Sequence, residues 1–447
     1  MVAVYRAGSL ELDLAGTVVS TWGYSDTVPG KLLRARAGDL VQVTIDNGLD
    51  EATTIHWHGL AIVNAMDGVP GLTQPDIAAG TSFTYRFVVP DAGTYWFHPH
   101  HGLQLDRGLY APLVIDDPND NIDADVEYVL VIDDWLDGLG TSPEAELARI
   151  RNMGASMGDM SGMGDMGGGM GMATSPLLGG DAGDVAYPYH LINGRPFGDP
   201  LTLDPQPRGG DRVRLRMINA GSDTAYRVAV GGHRMTVTHS DGFPVEPVEV
   251  DALIIGMGER YDVTVEVQGG VWPIIALAEG KDSRAVAVLR TVDAAATATP
   301  DLGASIAELD GVLLRYGDLQ AAASASLTLP KDIRTRTIRL TGGMHLYDWG
   351  IDGRPFGKHT PIEVAQDEWV SLVIENTTKM WHPIHLHGHT PQLSGVSGGP
   401  RKDTVNVLPG TSVQLTFPAN NPGKWMLHCH NTYHLESGMA TVLSYTT

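Results

Sequence analysis

The chain has 447 residues, one cysteine, 17 histidines and a formal net charge of −23. A single cysteine excludes an intramolecular disulfide and any cysteine-only metal cage. The acidic balance argues against nucleic acid and anionic membrane surfaces as partners and favours cations. No run approaches the roughly 18 apolar residues of a membrane span, and the opening residues Met1 to Tyr5 carry no basic stretch leading into an apolar core, so no secretory signal is expected within this chain.

Short runs with apolar and polar residues in alternation recur from end to end, at 40–45, 82–88, 261–267 and 413–417, among 54 Gly and 27 Pro. Side chains on a strand alternate between faces, so this pattern predicts an all-β chain of sandwiches. Helical periodicity is confined to 305–319, the better candidate, and to 143–150.

Internal repetition sets the organisation. An acidic residue, Val two positions later and Asn six beyond that occur as Asp39/Val41/Asn47, Asp211/Val213/Asn219 and Glu368/Val370/Asn376. Gly194-Arg-Pro-Phe-Gly198 returns as Gly353-Arg-Pro-Phe-Gly357. Gly80-Thr-Ser82 stands 18 residues before His98, and Gly410-Thr-Ser412 stands 18 before His428. Three copies of one sandwich are expected: residues 1–118, 125–293 and 333–447, with a linker at 294–332.

Four His-x-His pairs fall in register with the repeats: His56/His58 and His98/His100 in the first copy, His385/His387 and His428/His430 in the third. The separations within the two copies are 42 and 43 residues. Residues i and i+2 on a strand share a face, so each pair presents two imidazoles together. The second copy has no pair after Asn219, only the isolated His233 and His239. A solitary histidine is ordinarily a hydrogen-bonded surface or core residue, and that reading suits His101, His190, His233, His239, His345, His359 and His389. Eight imidazoles exceed the four ligands of a zinc ion, and imidazole-rich sites suit copper best among divalent first-row metals. A cluster of several copper ions is expected.

Cys429 lies between His428 and His430 and must point to the opposite face of their strand. With His382, His434 and Met439 it completes the two-His, one-Cys, axial-Met set of a mononuclear blue copper centre. One strand would thus carry a copper on one face and a copper cluster on the other.

His56-Trp-His58-Gly, Trp96-Phe-His98-Pro-His100, His382-Pro-Ile-His385-Leu-His387-Gly and the stretch from His428 to Met439 resemble the four copper motifs of the multicopper oxidases, among them laccases and bacterial cuprous oxidases. The resemblance covers nearly the whole chain and implies three consecutive cupredoxin-like Greek-key β-sandwich domains. It implies four copper ions: one type 1 on His382, Cys429, His434 and Met439; one type 2 on His56 and His385; and two type 3, on His58, His98 and His430 and on His100, His387 and His428. Four one-electron oxidations at the type 1 copper would be coupled to reduction of O2 to water at the cluster, shared by the first and third domains. The reductant implied is a small phenol or diphenol, or cuprous ion in copper tolerance. The resemblance and the toxicity of free copper imply an exported protein, periplasmic or secreted.

Asp67, nine residues after His58, matches the acid such enzymes place near the type 2 copper; a turn role in Asp67-Gly-Val-Pro70 is the alternative. Many bacterial relatives have Glu directly after the second type 1 histidine; here Leu435 takes that position and Glu436 follows. Residues 153–172 hold seven methionines (Met153, Met157, Met160, Met163, Met166, Met170 and Met172) and eight Gly. They read either as a Gly-rich linker or as a Cu(I)-handling segment, since soft thioethers select Cu(I). The segment is similar to the methionine-rich insert of cuprous oxidases but lies in the second copy rather than the third. Met380 matches a substrate-copper ligand of those enzymes, whose acidic companion is Thr378 here, and a core role is its alternative. A non-catalytic copper store using the methionine segment is the competing function. Replacement Cys429→Ser is expected to abolish the blue absorption and turnover together, measured on copper-loaded protein.

Overall fold

The structure, a computed structural model, describes residues 1–118, 120, 122–159, 173–296, 300–395 and 398–446. Its six principal sheets stack in pairs. The first sandwich sets Thr17–Tyr24, Val2–Leu14, Leu40–Asn47 and Ser82–Val88 against Leu33–Arg36, Ala111–Asp116, Gly93–His98 and His56–His58. The second packs a seven-stranded sheet on a five-stranded one, and the third packs two sheets of five. Alternation drives this arrangement: Leu40–Asn47 buries every second side chain, and Val41, Val43 and Ile45 enter the core of the first sandwich. Separate cores fill the second and third sandwiches. A further cluster around Leu14, Trp96, Trp135 and Leu191 joins the first to the second.

The repeated Asp/Glu, Val and Asn have one physical explanation in all three copies. Each repeat strand runs parallel to the strand that opens its sandwich. The acid accepts the backbone N–H three residues earlier: Asp39 from Arg36, Asp211 from Arg208 and Glu368 from Ala365. Each Asn closes its strand by donating two hydrogen bonds to carbonyls and accepting one from the N–H two residues on. Asn47 serves Glu51, Ile77 and Leu49; Asn219 serves Thr224, Ile255 and Gly221; Asn376 serves Met380, Val407 and Thr378. The Gly-Arg-Pro-Phe-Gly repeats are hairpin turns whose Asn193-Gly194 and Asp352-Gly353 pairs sit at positive φ.

The helix expected at 305–319 does not form. Only the short 3-10 turns Ala307–Asp310 and Tyr316–Asp318 occur there. Gly311 and Gly317 weaken helical propensity, and the backbone of Val312 and Leu314 instead pairs with Asp251 and Ala252 at the edge of the second sandwich. The weaker candidate is the real helix: α1 spans Pro143–Asp159. It buries Leu147 and Ile150 in the core of the third sandwich. Arg151 Nη2 donates to the carbonyl of Glu436 at 2.7 Å, which ties α1 to the short helix α2, Thr432–Glu436. Met157 lies on α1, while Met160, Met163, Met166, Met170 and Met172 lie outside the described residues. Among the described residues no helix is long and apolar enough to cross a membrane.

Asn219→Ala removes three buried hydrogen bonds without touching any candidate ligand. It is expected to destabilise the second sandwich by about 2–4 kcal/mol, read as a lowered unfolding temperature in calorimetry of the copper-free chain.

Candidate metal centre

Strand pairing brings the four His-x-His motifs to one place. In the first sandwich His56 stands opposite His98, and in the third His385 stands opposite His428. The two sandwiches face each other across this point. His56 Nε2 lies 3.3 Å from His385 Nε2, and His428 Nε2 lies 3.3 Å from His100 Nε2 and 3.1 Å from His387 Nε2. His58 stacks on His385 and His56 on His387, with ring centroids 3.8 and 3.6 Å apart. Three of the resulting groups of ligand atoms are His58/His98/His430, His100/His387/His428 and His56/His58/His385; within each, all atoms lie inside 4.8 Å of one another.

On the opposite face of the strand Lys424–Cys429, Cys429 Sγ sits 3.7 Å from His382 Nδ1 and 3.6 Å from His434 Nδ1, and those two nitrogens are 3.1 Å apart. The histidines' remaining nitrogens are held from outside. His382 Nε2 meets Thr378 Oγ1 at 2.9 Å, and His434 Nε2 meets Asp184 Oδ2 at 2.9 Å. Met439 is fully buried beside them, its N–H donating to the carbonyl of His434 and its carbonyl accepting from Cys429. Met380 is buried in the same core.

These donors fit metal ions. His58 Nδ1, His98 Nε2 and both ring nitrogens of His430 are buried without a hydrogen-bond partner. Buried polar atoms are normally paired, so such a concentration in one group of three imidazoles is what a cation would resolve. Burial, reinforced by neighbouring imidazoles, lowers His58, His98, His100, His387, His428 and His430 well below the ordinary imidazole value. They are therefore neutral, the form that ligates. Burial pushes the Cys429 thiol up, and a coordinating metal is what makes such a thiol a thiolate. Nitrogen and one sulfur, without a carboxylate-rich shell, suit copper.

The description multicopper oxidase matches three stretches of the sequence, residues 9–120, 127–294 and 330–447. Multicopper oxidase MmcO of Mycobacterium tuberculosis is 47% identical over 437 residues, covering 97% of this chain and 85% of that protein. The chain belongs to the multicopper oxidase family. A copper resistance protein A homolog of Pseudomonas syringae pv. tomato is 29% identical, covering 97% and 90%. A solved structure of a variant of the laccase from B. aclada superposes with a TM-score of 0.82 at 26% identity, covering 99% of this chain and 87% of that one. The fold is thus cupredoxin-like throughout, and the protein is a copper-dependent oxidoreductase using O2 and a reductant.

Asp67 sits against the histidine cluster of this multicopper oxidase. Its Oδ2 is 3.0 Å from His387 Nδ1, and its backbone oxygen is 3.0 Å from His56 Nδ1. It therefore orients one imidazole from each end sandwich. Glu436, at the end of α2, lines a small cavity of about 20 Å3 with His98, His100, His428 and His430; burial raises its carboxyl above the usual range. Two acids escaped the sequence reading. Asp184 holds His434, and Asp403 Oδ1 lies 3.2 Å from His58 Nε2 and 3.3 Å from His385 Nδ1. Both side chains are buried and stand 250 and 345 residues from the candidate ligands they touch, His434 and His58. The only signal for Asp184 was an acidic pair, Asp181 and Asp184, just after the methionine segment. For Asp403 there was none.

Asp67→Asn is expected to slow O2 reduction about 10- to 100-fold, with the blue copper still reducible by an added donor. Stopped-flow measurement of blue reduction and reoxidation separates the two steps, and normal reoxidation would refute the role.

Proposed function

We propose that this multicopper oxidase oxidises cuprous ion and small phenols one electron at a time and passes four electrons to O2, giving water. Its copper would comprise one type 1 ion on His382, Cys429, His434 and Met439, one type 2 ion on His56 and His385, and two type 3 ions on the groups containing His430 and His100. Bound there, copper supplies the one-electron exchange at the sulfur centre and the four-electron chemistry at the cluster. The observation that carries the reading is the position of Cys429 between His428 and His430, which joins the two centres by a few covalent bonds. A storage protein has no need of that connection. The domain limits proposed are 1–118, 125–293 and 333–447.

The reductant would enter at a pocket of about 630 Å3 walled by Tyr187, His190, Lys281, Met344 and α1. Asp184 stands between this pocket and His434. Its Oδ2 takes hydrogen bonds from Tyr347 and His434, while Oδ1 is buried without a partner. That carboxylate is shielded from the pocket, so Asp184 would act on electron entry only through His434, the imidazole through which an electron must pass. Met153, the first residue of the methionine-rich segment, and Ala173, directly after its last, both line the same pocket, which supports a role for the segment in bringing Cu(I) there. Glu436 and Asp67 would move protons on the O2 side. Export from the cytoplasm follows as part of this proposal.

The test is O2 uptake by copper-loaded protein with Cu(I) or a diphenol as donor. Asp184→Ala, which frees His434 Nε2, is expected to lower turnover with both donors about 10-fold. Deletion of residues 153–172 is expected to lower turnover with Cu(I) and spare the diphenol. No O2 uptake with either donor would defeat the oxidase reading, and an unaffected Cu(I) rate would make the segment a tether.

A further inference from the structure

Among the described residues the second sandwich contributes no candidate ligand to the cluster, yet it reaches it. Arg260, which begins one of its strands, is fully buried. Its Nη1 and Nη2 donate to Asp403 Oδ1 and Oδ2 at 2.7 and 2.6 Å, a two-point grip on a carboxylate of the third sandwich. Its Nε donates to the carbonyl of Thr94 in the first sandwich at 3.1 Å. One guanidinium therefore touches all three sandwiches.

Asp403 in turn holds two candidate ligands. Its Oδ1 faces His58 Nε2, and its backbone oxygen lies 3.0 Å from His385 Nδ1. Each contact occupies one ring nitrogen and leaves the other, His58 Nδ1 and His385 Nε2, for copper. Burial alone would raise the Asp403 carboxyl, but Arg260 and the hydrogen bonds from His385 and His58 hold it well below the usual range.

Two glycines record how closely these parts fit. Gly59, directly after His58, has φ +89°, and a Cβ there would come within 2.4 Å of Arg260 Nη2 and 2.8 Å of Asp403 Oδ2. Gly258, two residues before Arg260, has φ +84°, and a Cβ there would come within 2.8 Å of His430 Cδ2 and 3.0 Å of His58 Cε1. The glycine that ends the His56-Trp-His58-Gly motif is thus where the grip passes.

We propose that Arg260 is a positioning residue for the copper cluster: by clamping Asp403 it fixes the ring orientation of His58 and His385, so that the second sandwich sets the geometry of a site to which it gives no ligand. This rests on the assignment of His385 to the type 2 copper and His58 to a type 3 copper.

Copper content, blue absorption and the type 2 electron paramagnetic resonance signal are compared in copper-loaded wild type, Arg260→Met, Arg260→Lys and Arg214→Met, after dialysis against a chelator. Arg214 is a control; it pairs with buried Asp262 at 2.7 Å and touches no candidate ligand. Both Arg260 variants are expected to keep the blue copper and to bind the type 2 copper about 10- to 100-fold more weakly. Lysine fails because it restores charge without the two-point grip. Arg214→Met is expected to retain the signal. Wild-type type 2 affinity and hyperfine splitting in either Arg260 variant, or an equal loss in Arg214→Met, would overturn the clamp. Should Arg260→Met fail to fold, Arg260→Lys decides on the same readouts. A wild-type protein with no type 2 signal would instead refute the ligand assignment itself.

Discussion

The alternation of side chains along one strand end governs this molecule. At His428, Cys429 and His430 the backbone must present imidazole, sulfur and imidazole to opposite faces in turn. The sulfur centre and the imidazole cluster are therefore neighbours by construction. Everything else supports that arrangement: the partner strand His382–Leu386 sets His385 beside His428 and Ile384 beside Cys429, and the first sandwich meets the cluster face with His56 and His98 in the equivalent register. A one-residue slip of the pairing in the third sandwich would exchange the faces and dismantle both centres at once, and one in the first would dismantle the cluster.

The cost of such a site is concentrated desolvation. Without metal, imidazole nitrogens crowd within 4.8 Å of one another in each group, some with no hydrogen-bond partner. Unpaired buried polar atoms cost about 1–3 kcal/mol each. Metal binding converts this liability into binding free energy, since the donors are already brought together. The surrounding shell carries the load meanwhile. Asp67, Asp403, Thr378 and Asp184 each occupy the nitrogen that faces away from the metal position, which fixes ring orientation before any ion arrives.

What could be read from the sequence was what is local or repeated. The three Asn residues at repeat strand ends, the hairpin turns and the histidine pairs each depend on neighbours within a few positions or on a register copied between repeats, so their spacing carries their structure. The supporting acids do not. Asp403 sits in Arg401-Lys402-Asp403, a charge run of the kind usually solvated, and only the closure of three sandwiches buries Lys402 and Asp403 completely. The stretch 305–319 failed for a related reason: its apolar residues serve a sheet edge, and the tertiary pairing of Val312 and Leu314 outweighed a helical pattern interrupted by two glycines.

The second sandwich lacks the His-x-His pairs of the other two copies, yet it remains. It keeps the strand-end asparagine, Asn219, and just beyond it carries Ser222, Asp223 and Thr224. Asp223 accepts from Asn431 at 2.7 Å, and Asn431 caps α2, the helix that bears His434. Asp223 also accepts the backbone N–H groups of Asp184 and Val185, steadying the acid that holds His434. Arg260 does the corresponding work at the cluster. Ligands confined to the first and third sandwiches would be only as fixed as the interface between those two units. A third unit gripping both sides, with buried ion pairs that tolerate little displacement, removes that freedom, and the imidazoles then meet oxygen in a geometry the chain has set in advance.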